Sequence, residues 1–338
     1  MVIPFYNASD LVLSCIQCLT STGWGLEDLV IVNNGSRCSE LRRLQEQGLW
    51  ASIISQENLG FAGAVNRGIR FGAERGYRFT FLLNSDALIS ADGLAALERH
   101  LTKPGNECIA ACSPMIMCGP EIDFIGGRVQ RCGWRSRHIQ SLAAASFQQP
   151  NEETFLSGCA LFCRNEALQE VGYFDEKFFM YWEDCDLSLR LRSAGWKLAV
   201  VPEVSVQHSV GGSSGGVANL LMDYYVDRNR FLMWRKHGRG WYSLLLTCKG
   251  IVAQILVLPW SERLRKLNTA EALVDGLFGR FGRRNSKLNG KARTWKAFAL
   301  GILTMAAFPL RALIRAKRYT SSLAISTKSS NFASVHLR

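Results

Sequence analysis

Acidic side chains nearly vanish from the last third of this 338-residue chain. Residues 227–338 hold 4 Asp+Glu against 22 Lys+Arg, while residues 1–226 hold 24 against 18. The net charge of +12 therefore belongs to a basic tail on an ordinary acidic globule, and such a tail suits an anionic surface. Also missing is an uninterrupted apolar run. The stretches 241–260 (WYSLLLTCKGIVAQILVLPW) and 295–314 (WKAFALGILTMAAFPLRALI) approach the length of a bilayer span, but each contains a charge, a Gly or a Pro. If both spanned, the loop 261–294, with nine Lys/Arg against three acidic residues, would lie on the far side, against the positive-inside rule. The sequence thus favours helices lying in or on the cytoplasmic face of a membrane, with soluble packed helices as the alternative. Nucleic acid is a poor partner, because the charges interleave with long aliphatic runs rather than exposed aromatics. No secretory signal precedes the strand-like opening MVIPFYN, and the eleven cysteines do not repeat as paired metal knuckles. Buried thiols in a reducing cytoplasm are expected.

What is present is ample core material, 48% hydrophobic, in a β-α-β-α rhythm. Strand-like runs at Val2–Ile3, Leu29–Val32, Ser52–Ile54 and Phe79–Leu83 alternate with helical patterns near 9–20, 37–47, 61–75 and 90–101. Ser9 or Asp10 can cap the first helix and Ser90 the last. That rhythm predicts a parallel sheet with helices on both faces, and ligands of such sheets bind beyond the carboxyl ends of the strands. The loops expected there carry Tyr6-Asn7, Asn33-Asn34-Gly35-Ser36, Glu57-Asn58-Leu59-Gly60 and Asn84-Ser85-Asp86. Residues 134–152 read as a loose segment and 211–216 as a Gly/Ser loop.

Three of these stretches and one further run carry chemistry. Gly60, Gly63 and Gly68, in NLGFAGAVNRGI, permit close backbone approach to a phosphate or ribose at a helix N-terminus. LLNSDA ends an apolar strand on Asp86, where a carboxylate suits Mg²⁺ or Mn²⁺ bridging a diphosphate, although an Asx-turn would look the same. The run from Phe155 to His208 sets Asp175, Glu183, Asp184 and Asp186 among Phe178, Phe179, Tyr181 and Trp182. Carboxylates beside such aromatics are costly unless their charge is used. A helix starting near Trp182 would gather Glu183, Asp184 and Asp186 in its first turn, where the helix dipole favours anions. His208, alone, reads equally well as a surface residue at a strand end.

The order strand-NNGS, NxGFAGAxNxG, strand-NSD, GxFDExFFxYxEDxDL, and a His after a further strand resembles the family 2 glycosyltransferases of the GT-A fold. It looks closest to the bacterial rhamnosyltransferase-like branch that builds O-antigen and related surface polysaccharides. The resemblance implies an α/β catalytic domain over 1–218, with a Rossmann-like, mostly parallel sheet, and a basic helical C-terminal region over 219–338 that meets the membrane. It implies Asp184 as catalytic base with Glu183 beside it, and a divalent metal held by Asp86 and His208. Tyr6, Asn33, Asn58, Gly63, Asn66, Asn84, Asp86 and Arg228 would meet the nucleotide-sugar, and Asp175, Trp182 and Asp186 the acceptor. It further implies a nucleotide-diphosphate sugar donor and a polyprenyl-diphosphate-linked or other saccharide acceptor. A transferase acting on polyprenyl phosphate itself, and a non-catalytic nucleotide- or glycan-binding homologue, remain as other readings. The chain departs from the family twice: Asn33 stands where Asp is usual, and the first strand is short. An amide carbonyl at Asn33 can still accept from a base N3–H.

Overall fold

Four short strands and the helices between them place the candidate loops along one edge. The computed structural model describes residues 1–49, 53–142, 154–208, 216–238 and 240–284, with 216–219 and 260 described by backbone alone. Strands β1 (Val2–Phe5), β2 (Val30–Asn34), β3 (Ile53–Gln56) and β4 (Phe79–Leu83) alternate with helices α1 (Ser9–Ser21), α2 (Cys38–Glu46) and α3 (Gly60–Glu74). They lie parallel in the order β3-β2-β1-β4, since strands joined through helices return in the same direction. Period-two alternation divides the core. Ile3, Phe5, Ile31 and Leu83 face Val12, Cys15 and Leu19 of α1, whereas Val2, Val32 and Leu82 face Ala62, Val65 and Ile69 of α3.

Further along come β5 (Ala87–Leu88), α4 (Ala91–Thr102), β6 (Ile109–Cys118) and β7 (Glu121–Phe124). A separate three-stranded sheet follows, built from β8 (Gly127–Gln130), β9 (Arg135–His138) and β10 (Thr154–Phe155) in the order β10-β8-β9. Then β11 (Ala160–Arg164), α5 (Asn165–Glu170), α6 (Glu183–Ser193) and β12 (Lys197–His208) complete the main sheet, β3-β2-β1-β4-β11-β6-β12-β5, with β7 on β6. The expected mostly parallel sheet is borne out in β1–β4 and in the β6–β12 pair, and it is mixed where β11 runs antiparallel to both β4 and β6. The two strand-like runs before His208 are one strand, β12, whose register shifts between Val201 and Ser205. Pro202 lies in that interval, and proline cannot donate to a ladder.

Ser90 caps α4 as expected, accepting from Gly93 N. Ser9 does not cap α1 from its own side chain. Glu40 of α2 accepts from both Ser9 N (3.1 Å) and Ser9 Oγ (2.7 Å), so the cap comes from a neighbouring helix. The C-terminal helices are α7 (Gly216–His237), α8 (Trp241–Val257) and α9 (Arg263–Leu277). The expected boundary at 218/219 falls within the first turn of α7. Stretch 241–260 becomes α8, which buries Ile251 and Ile255 together with Phe231 of α7 and Ala270 and Leu273 of α9. Among the described residues no helix is long and apolar enough to cross a membrane. The stretch 295–314, residues 143–152 of the loose segment and residues 211–215 of the Gly/Ser loop lie outside the described residues. The eleven cysteines are free thiols. Five are buried, but Cys38, Cys108, Cys118 and Cys132 are exposed, so the expectation of buried thiols holds only in part.

Candidate active site

The loops after β1, β2 and β3 are tied to one another by side-chain amides. Asn7 N donates to Ser36 Oγ (3.0 Å) and Asn7 Oδ1 accepts from Arg37 N (2.9 Å). Asn34 Oδ1 accepts from Leu59 N and from Gln56 Nε2, each at 3.0 Å, and Asn58 Oδ1 accepts from Gly60 N (3.0 Å). Gly60 has φ +78°, and a Cβ there would lie 2.1 Å from the Phe179 carbonyl oxygen. Only glycine permits this approach, and it lets Phe61 N donate to that oxygen at 2.7 Å. Gly63 is also sterically required, since its Cβ would stand 2.5 Å from that of Leu59. The donor loop and the aromatic run 178–182 are thereby joined.

The two halves of the site meet across adjacent backbone groups. Asp86 leaves the end of β4, and pairing of β12 with β5 sets His208 opposite Ala87. This brings His208 Nε2 to 3.2 Å from Asp86 Oδ1, both side chains partly exposed. On the other half, Gly158 N donates to Asp184 Oδ2 (3.2 Å), while Cys159 O accepts from Asn84 N (2.8 Å). The carboxylate on α6 and the loop bearing Asp86 thus hang from neighbouring residues. The Cys159 thiol registers both. Burial pushes it well above its usual range, and Asp86, Asp123 and Asp184 push it further.

The acidic run divides by environment. Asp184 is half-buried, and burial raises its carboxyl above the usual range against the opposing N–H groups of Gly158 and Cys185. Glu183 is buried and its Oε2 has no partner among the described residues. Burial first, and then the Asp184 charge, raise it well above the carboxylate range. Its carboxyl is turned inward, where burial favours the protonated form. Asp186 corrects the expectation that it meets the acceptor. It is wholly buried and bonded to Arg190 Nε (2.7 Å), Lys236 Nζ (2.8 Å) and His237 Nε2 (2.7 Å). Burial alone would raise it, but His237, Arg190 and Lys236 outweigh that and hold it at about 2. Because this folded pKa is depressed, Asp186 contributes about 2 kcal/mol at neutral pH. That contribution is lost as pH falls from about 4 towards 2. The urea-unfolding free-energy difference between wild type and Asp186→Asn should therefore shrink over that window. A constant difference would exclude a charge-bound carboxylate.

Five more residues expected at substrate are held by internal contacts. Asp175 accepts from Lys177 N (3.0 Å) and pairs with Lys236 (2.6 Å), the lysine that also binds Asp186. Trp182 is buried, with its indole N–H on Val226 O of α7 (3.1 Å). Arg228 is buried, and its guanidinium is consumed by Gly282 O (2.6 Å), Phe178 O (3.0 Å) and Asn229 Oδ1 (2.7 Å), so it does not reach a diphosphate. Asn66, fully buried, bonds Phe174 through both its N–H and its carbonyl, out of reach of a donor. Asn33 is also turned inward. Its Oδ1 accepts from Ser36 N (2.9 Å) and its Nδ2 donates to Ser55 Oγ (3.2 Å), which occupies the carbonyl expected to meet a base. Tyr6, 52% exposed, is the open side chain at that edge.

Residues not singled out by the sequence do much of the positioning. Phe179, Tyr181 and Trp182 all have positive φ, a conformation costing roughly 1–3 kcal/mol per non-glycine residue unless its surroundings enforce it. Asn229, wholly buried on α7, enforces it: its Nδ2 faces the carbonyls of Phe178 (3.0 Å), Met180 (2.9 Å) and Tyr181 (2.8 Å). The exposed Arg283 lies 3.5 Å from Asn58 O, and is the basic group beside the donor loop. Asp123 and His138 also bear electrostatically on the crevice, through Cys159 and Asp184 respectively.

A parallel strand set with polar loops at its carboxyl edge, a carboxylate–imidazole pair and a held carboxylate define an α/β transferase of GT-A architecture. The family described as "Glycosyltransferase like family 2" matches residues 1–222, and the chain belongs to it. The N-acetylglucosaminyl-diphospho-decaprenol L-rhamnosyltransferase of Mycobacterium tuberculosis is 38% identical over 132 residues, 38% of this chain and 43% of that protein. This match spans less than half the relative's length. The dTDP-rhamnosyl transferase RfbF of Shigella flexneri is 22% identical over 236 residues, 68% of this chain and 76% of that one. The solved structure of GalNAc-T7 with UDP, GalNAc and Mn²⁺ aligns at a TM-score of 0.53 and 15% identity, covering 83% of this chain and 57% of that one. That likeness concerns the fold alone.

Proposed function

We propose that this chain is an inverting glycosyltransferase of cell-surface, O-antigen-like polysaccharide synthesis. It moves a sugar from a nucleotide-diphosphate donor, dTDP-rhamnose or a UDP-sugar, to a hydroxyl of a lipid-linked saccharide. The observation that carries this reading is the pair Gly158 and Cys159, which ties a base candidate and, through Asn84 N, the loop bearing Asp86 to consecutive residues. The relatives suggest the substrate classes: a diphospho-decaprenol saccharide for one and a dTDP-rhamnosyl group for the other. Asp184 takes the proton of the acceptor hydroxyl as its oxygen bonds to the anomeric carbon. The bond from that carbon to the diphosphate breaks, and the electron pair leaves with the diphosphate. A single in-line displacement inverts the centre. Arg283 stands beside the donor loop as a partner for the leaving group.

Asp86 and His208 fit a divalent cation, Mn²⁺ or Mg²⁺. Such ions accept one or two protein ligands and leave their other positions to phosphate oxygens and water, and these two side chains converge while staying partly exposed. Bound there, the ion would supply positive charge to the departing diphosphate. His208→Ala should raise the Mn²⁺ concentration for half-maximal activity by about tenfold or more, with activity recovered at saturating Mn²⁺. Mn²⁺ binding followed by electron paramagnetic resonance should weaken in parallel, and an unchanged Mn²⁺ requirement would remove His208 from the site.

The basic C-terminal region suits peripheral attachment to the cytoplasmic face of the inner membrane. Trp241, Tyr242 and Leu245 are exposed on the first turns of α8, and aromatics of this kind favour the headgroup level. The deciding experiment assays dTDP-rhamnose, UDP-sugars and GDP-sugars with Mn²⁺ and a diphosphate-linked N-acetylglucosamine lipid. Transfer from a dTDP- or UDP-sugar is expected. Absence of both binding and transfer across the set would refute the reading.

A further inference from the structure

The hairpin β8–β9 carries charge that its own packing does not explain. Arg128 and Arg137 are directly opposed in register, as are Gln130 and Arg135, so these four side chains share one face. All three arginines are exposed. Like charges directly opposed weaken a sheet, yet no ion pair among the described residues relieves them. A face of this kind is built for an anion.

Its position orders what that anion would be attached to. The row Phe155, Gly127, His138 lies at one end of the small sheet, and His138 bears on the Asp184 carboxyl. From Phe155 the chain needs three residues to reach Gly158, the donor to Asp184. The next row is Thr154, Arg128, Arg137. Arg135 lies two residues further towards the hairpin turn, where its guanidinium comes within 3.6 Å of the Cβ position of Gly250 on α8. At that turn α8 docks, Ser243 Oγ donating to Arg131 O (2.9 Å), and the exposed Trp241, Tyr242 and Leu245 follow. Along the sheet the row that bears on the base is followed by a guanidinium row and then by an aromatic and aliphatic surface. The arginines occupy the face opposite His138, so a group bound to them reaches Asp184 around the end of the sheet. From His138 to Arg135 the extended chain covers roughly 10 Å.

We propose that the outer face of the β8–β9 hairpin binds the diphosphate of the lipid-linked acceptor. Arg128, Arg135 and Arg137 contact its phosphate oxygens, the saccharide reaches towards Asp184, and the hydrocarbon chain meets α8 at Trp241, Tyr242 and Leu245. Guanidinium groups match phosphate oxygens in paired hydrogen bonds. A diphosphate joined to a hydrocarbon supplies both required chemistries in one molecule. This rests on the lipid-linked acceptor proposed above.

The test uses the full chain and the triple variant R128Q/R135Q/R137Q with two acceptors: N-acetylglucosamine linked through a diphosphate to farnesol, and the octyl glycoside of the same sugar. The variant should show a KM at least about tenfold higher for the diphosphate acceptor, with the octyl glycoside KM and donor hydrolysis unchanged. Its melting temperature should match or exceed that of wild type, because repulsion is relieved. An equal rise for both acceptors would overturn the proposal. So would an unchanged KM accompanied by lost binding to phosphatidylglycerol vesicles, which would make the face a general anionic-lipid contact. Calorimetric binding of farnesyl diphosphate separates this proposal from the functional reading. Equal binding by wild type and variant sinks the hairpin alone, whereas donor hydrolysis by wild type without transfer to either acceptor sinks the acceptor assignment.

Discussion

Asp184→Asn should keep the nucleotide-sugar and lose transfer by on the order of 10²–10⁴. The substitution preserves size and an acceptor oxygen for one of the two N–H groups, Gly158 N donating to Oδ2 and Cys185 N to Oδ1 in the wild type, but removes the lone pair that takes the hydroxyl proton. The proposed donor loops lie on the far side of the Gly158–Cys159 link, so binding of the nucleotide-sugar should be retained. Unfolding would not explain the loss. A carboxyl whose folded pKa is raised destabilises the native state as pH climbs above the ordinary range, so at neutral pH removal of the charge offsets the one hydrogen bond that the amide gives up. The same raised value shapes wild-type activity. A base must be ionised, so kcat/KM should fall on acidification through a limb lying above that of an ordinary aspartate, whose pKa is about 3.9. Near wild-type transfer by Asp184→Asn would remove Asp184 from the base role. Glutamate at 184 would restore charge but overreach the two N–H groups, and rescue should be partial.

What the sequence made legible was order, and what it hid was direction. The β-α rhythm and the strand ends follow from patterns local enough to read along the chain, whereas the juxtaposition of Asp86 with His208, a tertiary contact, was legible only through the family resemblance. Asn66, Trp182, Asp186 and Arg228 belong to the same motifs, but motif membership does not say which way a side chain points. Asn66 bonds a backbone 108 residues away and Arg228 one 50 residues away. No periodicity reports such distances. Asp186 illustrates the point physically. On the first turn of α6 it looks like a neighbour of Asp184, yet two residues of helix rotate it by about 200°, away from the crevice and onto Lys236 and His237. The antiparallel entry of β11 escaped for a related reason, since a fully buried strand shows the same apolar run in either direction.

The clamp on the aromatic run leads to the second large effect, at a residue remote from the chemistry. Asn229→Ala should lower kcat by about 10–100-fold and destabilise the protein by roughly 2–4 kcal/mol. Three carbonyls, those of Phe178, Met180 and Tyr181, converge on one amide, and burial denies them water in its place. Phe179, Tyr181 and Trp182 hold positive φ, so their conformation persists only while something outside the loop enforces it. Released, the loop would relax towards ordinary backbone and carry the start of α6, with Asp184, away from Gly158. It would also loosen Phe179 O from Phe61 N at the donor loop, so some loss of donor affinity should accompany the fall in kcat. Asn229→Asp discriminates positioning from simple bulk. It keeps the volume but sets acceptor oxygens against three carbonyls, and should be at least as damaging as alanine. Asn229→Gln retains the donors on a longer arm and should recover part of the stability. If alanine lowered the melting temperature while leaving kcat intact, the clamp would hold the fold together without setting the base.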